Sequence, residues 1–441
     1  MKAVYAYTFK GKIIVRILRL LFAVVHLLKG RKWKYPKLNF SEDPLHYSIL
    51  DGLYFGYKYY YAPPTTDPTI LLRKHLIAET EELPYEEIIT ITAAGDLMPY
   101  EWIDPRFCAN LWDDIGEAFF ASDLVIANLE TPIDESQPIG LVPELMLNNM
   151  EFNGDASMFK VFNGNGKYKG FDVMSTANNH SYDKGEAGVI NTLSFLFKEK
   201  IKYCGTAATW EQRDQFPIIN CKGVKIAFVA YTYSLNHLML PLGKEYLCNH
   251  IPLHVENGDL SLVKKQVALA YERGADLVIA SVHFGNAYQL FPSEHIVKNT
   301  HRLFDECGVD LILGGHAHNI QPIEYYPFIC PFTKKQKQGF VTYCMGDFVA
   351  YDIFTWGHLP VWLKIEIAKS SNGTRVKDVE INPIYTSGIY TSATKRDLRF
   401  WDANRLWARL RNGDATELND FNKEEARYLE TIYNQVYNTS N

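Results

Sequence analysis

Two histidines, His316 and His318, directly follow an apolar segment, residues 309–315, that ends on two glycines. A short apolar run bounded by glycine is typical of an interior β-strand, and glycine lets the backbone turn sharply at the sheet edge. Histidines two positions apart beyond a strand can offer neutral ring nitrogens to a divalent metal ion. The pair alone is equally compatible with a solvated loop that carries two incidental histidines.

Four further apolar segments, each typical of a β-strand, also end on side chains that bind metal ions or transfer protons. The side chains at their ends are Asp96, Glu130, Asn179 with His180, and His283. Loops at the ends of strands on a rigid sheet commonly carry chemistry. We therefore predict that the five strand ends meet in one site.

The predicted ligand set mixes oxygen and nitrogen donors: Asp96, Glu130, Asn179, His283, His316 and His318. Such a mixed set favours manganese, iron or zinc over calcium. With the Glu130 carboxylate as a bridge, the set can hold two divalent ions. At a spacing of about 3.5–4 Å, two such ions activate a water and stabilise both the attacking and the leaving oxygen of a displacement. The residue types therefore predict a metal-dependent hydrolase.

His180 and Asp183 supply the proton-transfer part of this chemistry. His180 is adjacent to Asn179 but is not needed as a ligand, so we assign it as the acid that protonates a leaving group. Asp183 stands three residues later and can orient the imidazole ring. Asparagine and aspartate are also common in turns, so it is their joint occurrence at strand ends that favours a site. Six other histidines lack this context and are predicted to be surface or packing residues: His237, His250, His254, His295, His301 and His358.

These segments resemble the CapA-type poly-γ-glutamate capsule biosynthesis proteins, within the calcineurin-like metallophosphoesterase superfamily. The matching segments keep the family's order along residues 88–370: 95–98, 128–132, 177–185, 283–285, 315–318 and 343–348. Because several short motifs recur in one order, coincidence is an inadequate explanation. The resemblance implies that one metal ion is held by Asp96, Glu130 and His318. It assigns the other ion to Glu130, Asn179, His283 and His316, with His180 as the acid.

The chain differs from the superfamily pattern at four positions. Met98 stands where the general pattern has a histidine two residues after its first aspartate. The resemblance therefore implies that the metal at His318 is weakly held or absent. Phe284 replaces a frequent tryptophan, Ala287 a nearby glutamate, and Asp347 the asparagine of a Gly-Asn-Phe motif. These three changes concern substrate recognition more than metal binding.

The alternation of strands and helices predicts an α/β fold, and the pattern alone would allow a doubly wound parallel sheet. A Rossmann fold is disfavoured, because no Gly-x-Gly-x-x-Gly motif opens a helix after the first strand of the body. The resemblance implies instead an α/β (α+β) fold, a metallophosphoesterase-like sandwich of two mixed β-sheets flanked by helices. It also implies that the metals lie at one sheet edge.

The charge of the 441-residue chain is unevenly distributed. Residues 1–41 contain ten Lys or Arg and no Asp or Glu, so this segment carries a charge of +10. The rest of the chain carries −16, which gives the net charge of −6. Four regions are predicted: a basic amphipathic N-terminal helix (1–40), a linker or wrapping arm (41–86), the CapA/metallophosphoesterase-like domain (87–385) and a C-terminal helical extension (386–441). Seven cysteines without a close Cys-x-x-Cys pair indicate neither a disulfide framework nor a zinc ribbon.

The N-terminal helix is predicted to lie in a membrane surface through residues 10–34. Lys12, Arg16 and Arg19 fall on one stripe of a helix that is otherwise strongly apolar. A secretory signal is disfavoured, because the basic residues 29–34 replace a small-residue cleavage site. The expected location is peripheral on the cytoplasmic side of a membrane. Two alternatives remain: an N-terminal anchor with the body outside, or a helix that packs on the body.

Two functions from different classes follow. The first is a dinuclear metal hydrolase of the phosphoesterase type, acting on a phosphoester or an anionic polymer. The second is a non-catalytic or accessory membrane-associated subunit for exopolymer assembly or export, with capsule-assembly proteins as partners. Nucleic acid is not expected as a partner, because the aromatic residues that alternate with arginines after residue 399 stand at a helical spacing typical of a core.

Overall fold

Two β-sheets pack face to face and helices cover their outer sides. The computed structural model describes residues 8–33, 48–61, 87–145, 150–349, 352–371, 373–390 and 396–437. The strands are β1 (Glu87–Leu97), β2 (Leu124–Leu129), β3 (Val173–Ser175), β4 (Lys202–Cys204), β5 (Ile218–Cys221), β6 (Val224–Thr232), β7 (Leu277–His283), β8 (Leu311–Gly315), β9 (Ile323–Ile329), β10 (Gln336–Thr342), β11 (Asp347–Val349), β12 (Val361–Ser370), β13 (Gly373–Tyr390) and β14 (Arg396–Asp402). The α-helices are α1 (Phe9–Trp33), α2 (Ile49–Tyr60), α3 (Gly116–Phe119), α4 (Ala156–Phe162), α5 (Gly185–Lys198), α6 (Trp210–Arg213), α7 (Ser261–Glu272), α8 (Glu294–Asp305), α9 (Ala403–Asn412) and α10 (Asp420–Tyr437).

Both sheets are mixed. The first has the order β14-β13-β12-β1-β2-β3-β4, with β11 also paired to β1, and the second has the order β5-β6-β7-β8-β10-β9. Strands β1 to β4 are parallel to one another in the first sheet, where β1 is antiparallel to β12, and β6, β7, β8 and β10 are parallel to one another in the second. The predicted sandwich of two mixed sheets flanked by helices is confirmed. The parallel strands bring their carboxyl ends to one edge of each sheet, which is where ligands bind in open α/β sheets.

The core between the sheets is formed by the apolar, largely β-branched runs that the sequence shows before each ligand. Ile89 and Ile91 of β1 lie there with Ile226 of β6, Ile279 of β7 and Leu311 of β8, and all five are buried. Strands buried on both faces read as near-continuous apolar runs, because neither face meets water. Because this core is packed as densely as a protein interior, the strand ends hold the side chains beyond them in fixed positions.

The structure differs from the predicted C-terminal helical extension over 386–441. The chain continues as β13 and β14 and becomes helical only at Ala403. In β14, the buried Leu398 and Phe400 alternate with half-buried neighbours, which is the period of a strand. Helix α9 begins at the N-cap Asp402, whose side chain accepts a hydrogen bond from the backbone N–H of Arg405. Phe400, Trp401 and Trp407 are buried, as predicted for a core role.

The N-terminal region forms a pair of packed helices. The Phe22 ring of α1 stacks on Tyr60 of α2 at 6.1 Å, and His26 Nδ1 lies 2.7 Å from the Tyr57 hydroxyl. Helix α2 starts with a capping box between Ser48 and Asp51. Residues 34–47 and 62–86, which include most of the predicted linker or wrapping arm, lie outside the described residues. The division of the chain into four regions stays a prediction.

Among the helices of the described ranges, none combines the length and the apolar character that crossing a membrane requires.

Candidate metal centre

The structure brings all six predicted ligands together at the carboxyl ends of the parallel strands. Asp96 lies near the end of β1, and Glu130 follows β2 directly. The histidines come from the second sheet, where His283 ends β7 and two others follow β8. All six side chains are buried: Asp96, Glu130, Asn179, His283, His316 and His318. The site therefore spans the carboxyl edges of both sheets.

Glu130 belongs to two sets of side chains with metal-binding geometry. In the first set its ligand atoms lie within 4.8 Å of those of His283 and His316, and in the second within 4.8 Å of those of Asp96 and His318. A carboxylate shared by two sets is the position of a bridging ligand in a two-metal site. The division agrees with the one that the family resemblance implies.

The Asp96 carboxylate is held in place by two donors. The backbone N–H of His316 and the side-chain amide of Asn128 each donate to it at 2.8 Å. A β-carbon at Gly315 would lie 2.5 Å from Asp96 Oδ1, so only glycine allows this close approach of β8 to β1. Burial, followed by the charge of Glu130, raises the pKa of the Asp96 carboxyl to about 7.

Glu130 gives the strongest indication that a cation belongs here. Both of its carboxylate oxygens are buried, and neither has a hydrogen-bond partner among the described residues. The Nε2 atom of His283 lies 3.3 Å from Oε1, beyond the length of a charge-assisted hydrogen bond. Burial raises the pKa of this carboxyl group. An unpaired buried carboxylate is costly, and a divalent cation between the surrounding oxygen and nitrogen donors removes that cost. The donor set thus fits manganese, iron or zinc.

His283 and Asn179 face each other across the first set. The Asn179 Oδ1 atom lies 2.8 Å from His283 Nε2, and the amide end of Asn179 donates to Asn236 Oδ1 at 3.0 Å. The contact with Asn236 fixes the amide so that its oxygen points toward the histidine. Burial lowers the pKa of His283 to about 4, so its imidazole is neutral and can act as a ligand.

Two further side chains orient the histidines that follow β8. The Tyr233 hydroxyl lies 2.9 Å from His316 Nε2, and Asp347 Oδ1 lies 2.8 Å from His318 Nδ1. Burial opposes protonation of His318, but the charges of nearby carboxylates, Asp347 first, raise its pKa to about 10. A divalent ion at this position would replace that proton. Partners of this kind fix the ring orientation and the basicity of a metal-binding histidine.

Sequence reasoning missed Asn128, Tyr233 and Asp347. Asn128 stands in the same strand end as Glu130, so the strand-end criterion could have included it. For Asp347, the sequence indicated a departure from a Gly-Asn-Phe motif, but not its contact with His318. Tyr233 follows β6, whose end carries no carboxylate or histidine. A search for hydrogen-bonding side chains after every apolar strand would have found all three.

The His180 side chain is held by Asp183, and its role as an acid stays a prediction. Its Nδ1 atom lies 2.6 Å from Asp183 Oδ2, which also accepts the backbone N–H of Phe152 at 2.6 Å. The Phe152 ring stacks on the imidazole with a centroid distance of 3.7 Å. Asp183 thus occupies the Nδ1 side of the imidazole ring. The Nε2 atom is therefore the nitrogen available for proton transfer.

Met98 does not contribute to the centre. Its side chain is 1 % exposed and packs in the apolar cluster on the outer side of the first sheet. The Asp96 set thus contains one imidazole, that of His318, whereas the His283 set contains two. Unequal occupancy, with the ion at His318 the more easily lost, stays a prediction.

The chain is similar to known bacterial proteins of one family. A model of the family described as "Bacterial capsule synthesis protein PGA_cap" matches residues 90–352. The chain is 26 % identical over 251 residues to "Capsule biosynthesis protein CapA" of Bacillus anthracis, an alignment that covers 55 % of this chain and 54 % of that protein. It is 22 % identical over 317 residues to "PGA biosynthesis protein CapA" of Bacillus subtilis (strain 168), covering 71 % of this chain and 75 % of that protein.

The first of these relatives is thus matched over about half of its length. Among solved structures, the calcineurin-like phosphoesterase YfkN from Bacillus subtilis aligns at 11 % identity, with a TM-score of 0.35, over 78 % of this chain and 99 % of that chain. The family match includes every residue of the metal centre and more than half of the sequence. The chain therefore belongs to the bacterial capsule synthesis protein family PGA_cap.

Proposed function

We propose that this protein is a metal-dependent hydrolase that cleaves a phosphoester or a related acyl bond during the biosynthesis of a capsule polymer. The observation that carries the proposal is the buried Glu130 carboxylate, which is shared by two metal-binding sets and lies beside an ordered His180–Asp183 pair. Capsule biosynthesis is supported by the family and by the names of the two relatives. The substrate that we propose is a phosphoester or an anionic polymer.

Each group of side chains has a separate role in the proposed hydrolysis. Two divalent ions bound by the six ligands would supply Lewis acidity and an activated water. As an imidazolium, His180 would donate the proton on Nε2 to the leaving oxygen and become a neutral imidazole, while the Asp183 carboxylate accepts the hydrogen bond of Nδ1–H and orients the ring. Phe152 covers one face of the imidazole ring and excludes water from it. Asn236 aims the oxygen of Asn179 at the centre.

The substitution Asn179→Ala tests this function. It removes one proposed oxygen ligand, so we expect the affinity of the His283 set for manganese to fall by about 10–100-fold or more, because the loss of a residue that only supports a ligand already costs that much. Turnover of bis(4-nitrophenyl) phosphate at limiting metal should fall with it. The measurement combines elemental analysis for manganese, iron and zinc with the initial rate.

Asn220→Ala is the matched control, because Asn220 lies exposed on the edge strand β5 and outside the centre. It should bind metal and turn over substrate as the wild-type protein does. If Asn179→Ala retains both metal content and turnover, the proposed function is wrong.

We also propose that α1 holds the protein peripherally on an anionic membrane surface on its cytoplasmic side. One face of α1 packs inward through Val15, Phe22 and Trp33. The other face exposes a set of large apolar side chains: Ile13, Ile17, Leu20, Leu21, Val24, Leu27 and Leu28. Exposed cationic residues lie on the same helix: Lys10, Lys12, Arg16 and Lys29. Apolar and cationic side chains exposed together on a helix are typical of interfacial membrane binding.

Replacement of Leu20 and Leu27 by glutamate is expected to release the protein from membranes. These side chains are 71 % and 84 % exposed, so the change should reduce binding to phosphatidylglycerol vesicles without unfolding the chain. Co-sedimentation of the full-length protein with vesicles measures the effect, and we expect at least a tenfold loss. Leu242→Glu is the control, because Leu242 is 98 % exposed and lies outside α1. Equal sedimentation of all three proteins would refute the membrane proposal.

An accessory role in exopolymer assembly or export, with capsule-assembly partners, is the second candidate function, and the exposed face of α1 favours it. The two functions differ in their genetic requirements. If variants of the metal centre still support capsule formation and only the α1 variant abolishes it, the protein acts as an accessory subunit. If both classes of variant lose the capsule, hydrolysis is required.

A further inference from the structure

A chain of buried hydrogen bonds runs from the metal centre to the N-terminal helix pair. It starts at His318, whose Nδ1 atom lies 2.8 Å from Asp347 Oδ1. Asp347 opens β11 and stands beside Asp96 in the parallel pairing of β11 with β1. Its second oxygen, Oδ2, accepts from the Tyr100 hydroxyl at 3.2 Å. Both carboxylate oxygens of Asp347 are therefore in contact with a partner, Oδ1 with His318 and Oδ2 with Tyr100.

The chain continues through Asp352 to α2. The Tyr100 hydroxyl also lies 3.2 Å from Asp352 Oδ2, and the Tyr59 hydroxyl donates to Asp352 Oδ1 at 2.6 Å. All these side chains are buried, so water does not compete for their hydrogen bonds. Buried polar networks of this kind orient their members strongly when every member is satisfied.

The same tyrosine reaches His318 by a second route, through ring packing. The Tyr59 ring lies 4.9 Å from that of Tyr288, and the Tyr288 ring stacks on His318 at 5.4 Å with an interplanar angle of 26°. Phe55, one turn earlier in α2, also packs on Tyr288 at 5.2 Å. Helix α2 thus supports both the hydrogen-bonded edge and the face of this imidazole.

We infer that Tyr59 is a positioning residue of the metal centre, which sets the orientation of His318 through Asp352, Tyr100 and Asp347. The inference rests on the proposed function, because it presumes that the Asp96 set holds a metal ion. That set has His318 as its one imidazole, since Met98 is turned into the core. Its affinity therefore depends on the orientation of one ring. Because α1 packs on α2, the helix pair forms part of the support of the centre as well as a surface of the protein.

The test compares Tyr59→Phe with Tyr57→Phe in the full-length protein. Each change keeps the ring and removes one hydroxyl from α2. The Tyr59 hydroxyl donates to Asp352, whereas the Tyr57 hydroxyl contacts His26 of α1 at 2.7 Å. Metal-free protein is titrated with manganese by calorimetry, and a His318→Ala variant identifies which binding event belongs to the Asp96 set. Thermal unfolding verifies that each variant is folded.

We expect Tyr59→Phe to weaken binding at the His318 set about 10–100-fold and to leave the His283 set unchanged. Tyr57→Phe should match the wild-type protein at both. Tyr100→Phe interrupts the same chain from β1 and should reproduce the effect even if α2 tolerates no change at Tyr59. The inference is overturned if both variants of the chain bind manganese as the wild-type protein does, or if Tyr57→Phe weakens binding equally. If the wild-type protein itself binds no manganese, both the inference and the proposed function fail. If it binds manganese and the variants bind equally well, only the inference about Tyr59 fails.

Discussion

Replacing Glu130 by glutamine is expected to remove both metal ions and to reduce phosphodiester turnover to near background. Glu130 is the one carboxylate that belongs to both metal-binding sets, and glutamine keeps its size while removing its charge. Two bound ions would each contribute several kcal/mol of transition-state stabilisation, so the loss of both should lower kcat/KM by about 10³-fold or more. Elemental analysis and initial rates measure the two effects.

Glu324→Gln is the matched control for this change. Glu324 is also fully buried and also lies beside a histidine, His301, at 3.0 Å, but it is on β9 and outside the centre. The control should keep its metal content even if its stability falls. The two proteins also differ in how metal affects unfolding, because an ion that binds only the folded state raises the unfolding temperature. We expect manganese to raise the unfolding temperature of the Glu324→Gln variant and to leave that of the Glu130→Gln variant unchanged. Retention of two ions by Glu130→Gln would contradict the bridging role.

His180→Ala should lower kcat about 10²–10⁴-fold and leave the metal content intact, because general acid catalysis supplies an acceleration of that size. The imidazole is held by Asp183 at 2.6 Å and by the ring of Phe152, so it is oriented before substrate binds. Neither metal-binding set includes His180. The measurement is the rate with bis(4-nitrophenyl) phosphate, together with elemental analysis of the same samples.

A substrate with a better leaving group sharpens this test. Loss of the acid should matter less for a 2,4-dinitrophenyl ester, because its leaving group needs no proton. His301→Ala, which breaks another histidine–carboxylate pair, should retain the wild-type rate. If His180→Ala is as active as His301→Ala, or if it loses its metal ions, His180 does not have the role proposed.

The grouping of the candidate ligands at strand ends was largely predictable, because these residues follow local patterns. An apolar run such as 309–313 specifies a buried strand, and the side chains just beyond it must lie at the sheet edge. Parallel pairing brings the ends of β1 and β2 to one edge of the first sheet, and those of β7 and β8 to one edge of the second. The meeting of Asp96 and Glu130 with His283 depends on how the two sheets pack, which the family resemblance implies and the strand pattern does not. The family resemblance then determined how the ligands divide into two sets.

The support of the centre was not predictable in the same way. Tyr59 and Asp352 are 293 positions apart, and no local pattern links them. The sequence of α1 also does not predict which of its faces packs inward, because that depends on the aromatic side chains that α2 presents. Residues 396–402 were predicted as helical from the spacing of arginines, but pairing with β13 determines their conformation. Tertiary pairing overrides local propensity in such segments.

Anomalous diffraction from crystals of the wild-type protein soaked in manganese tests the central claim most directly. Our account predicts two peaks at the carboxyl edges of the two sheets, both in contact with Glu130. The stronger peak should lie beside His283 and His316, and the weaker one beside Asp96 and His318. The absence of any peak at Glu130 in saturating manganese, with zinc and iron soaks equally empty, would contradict it.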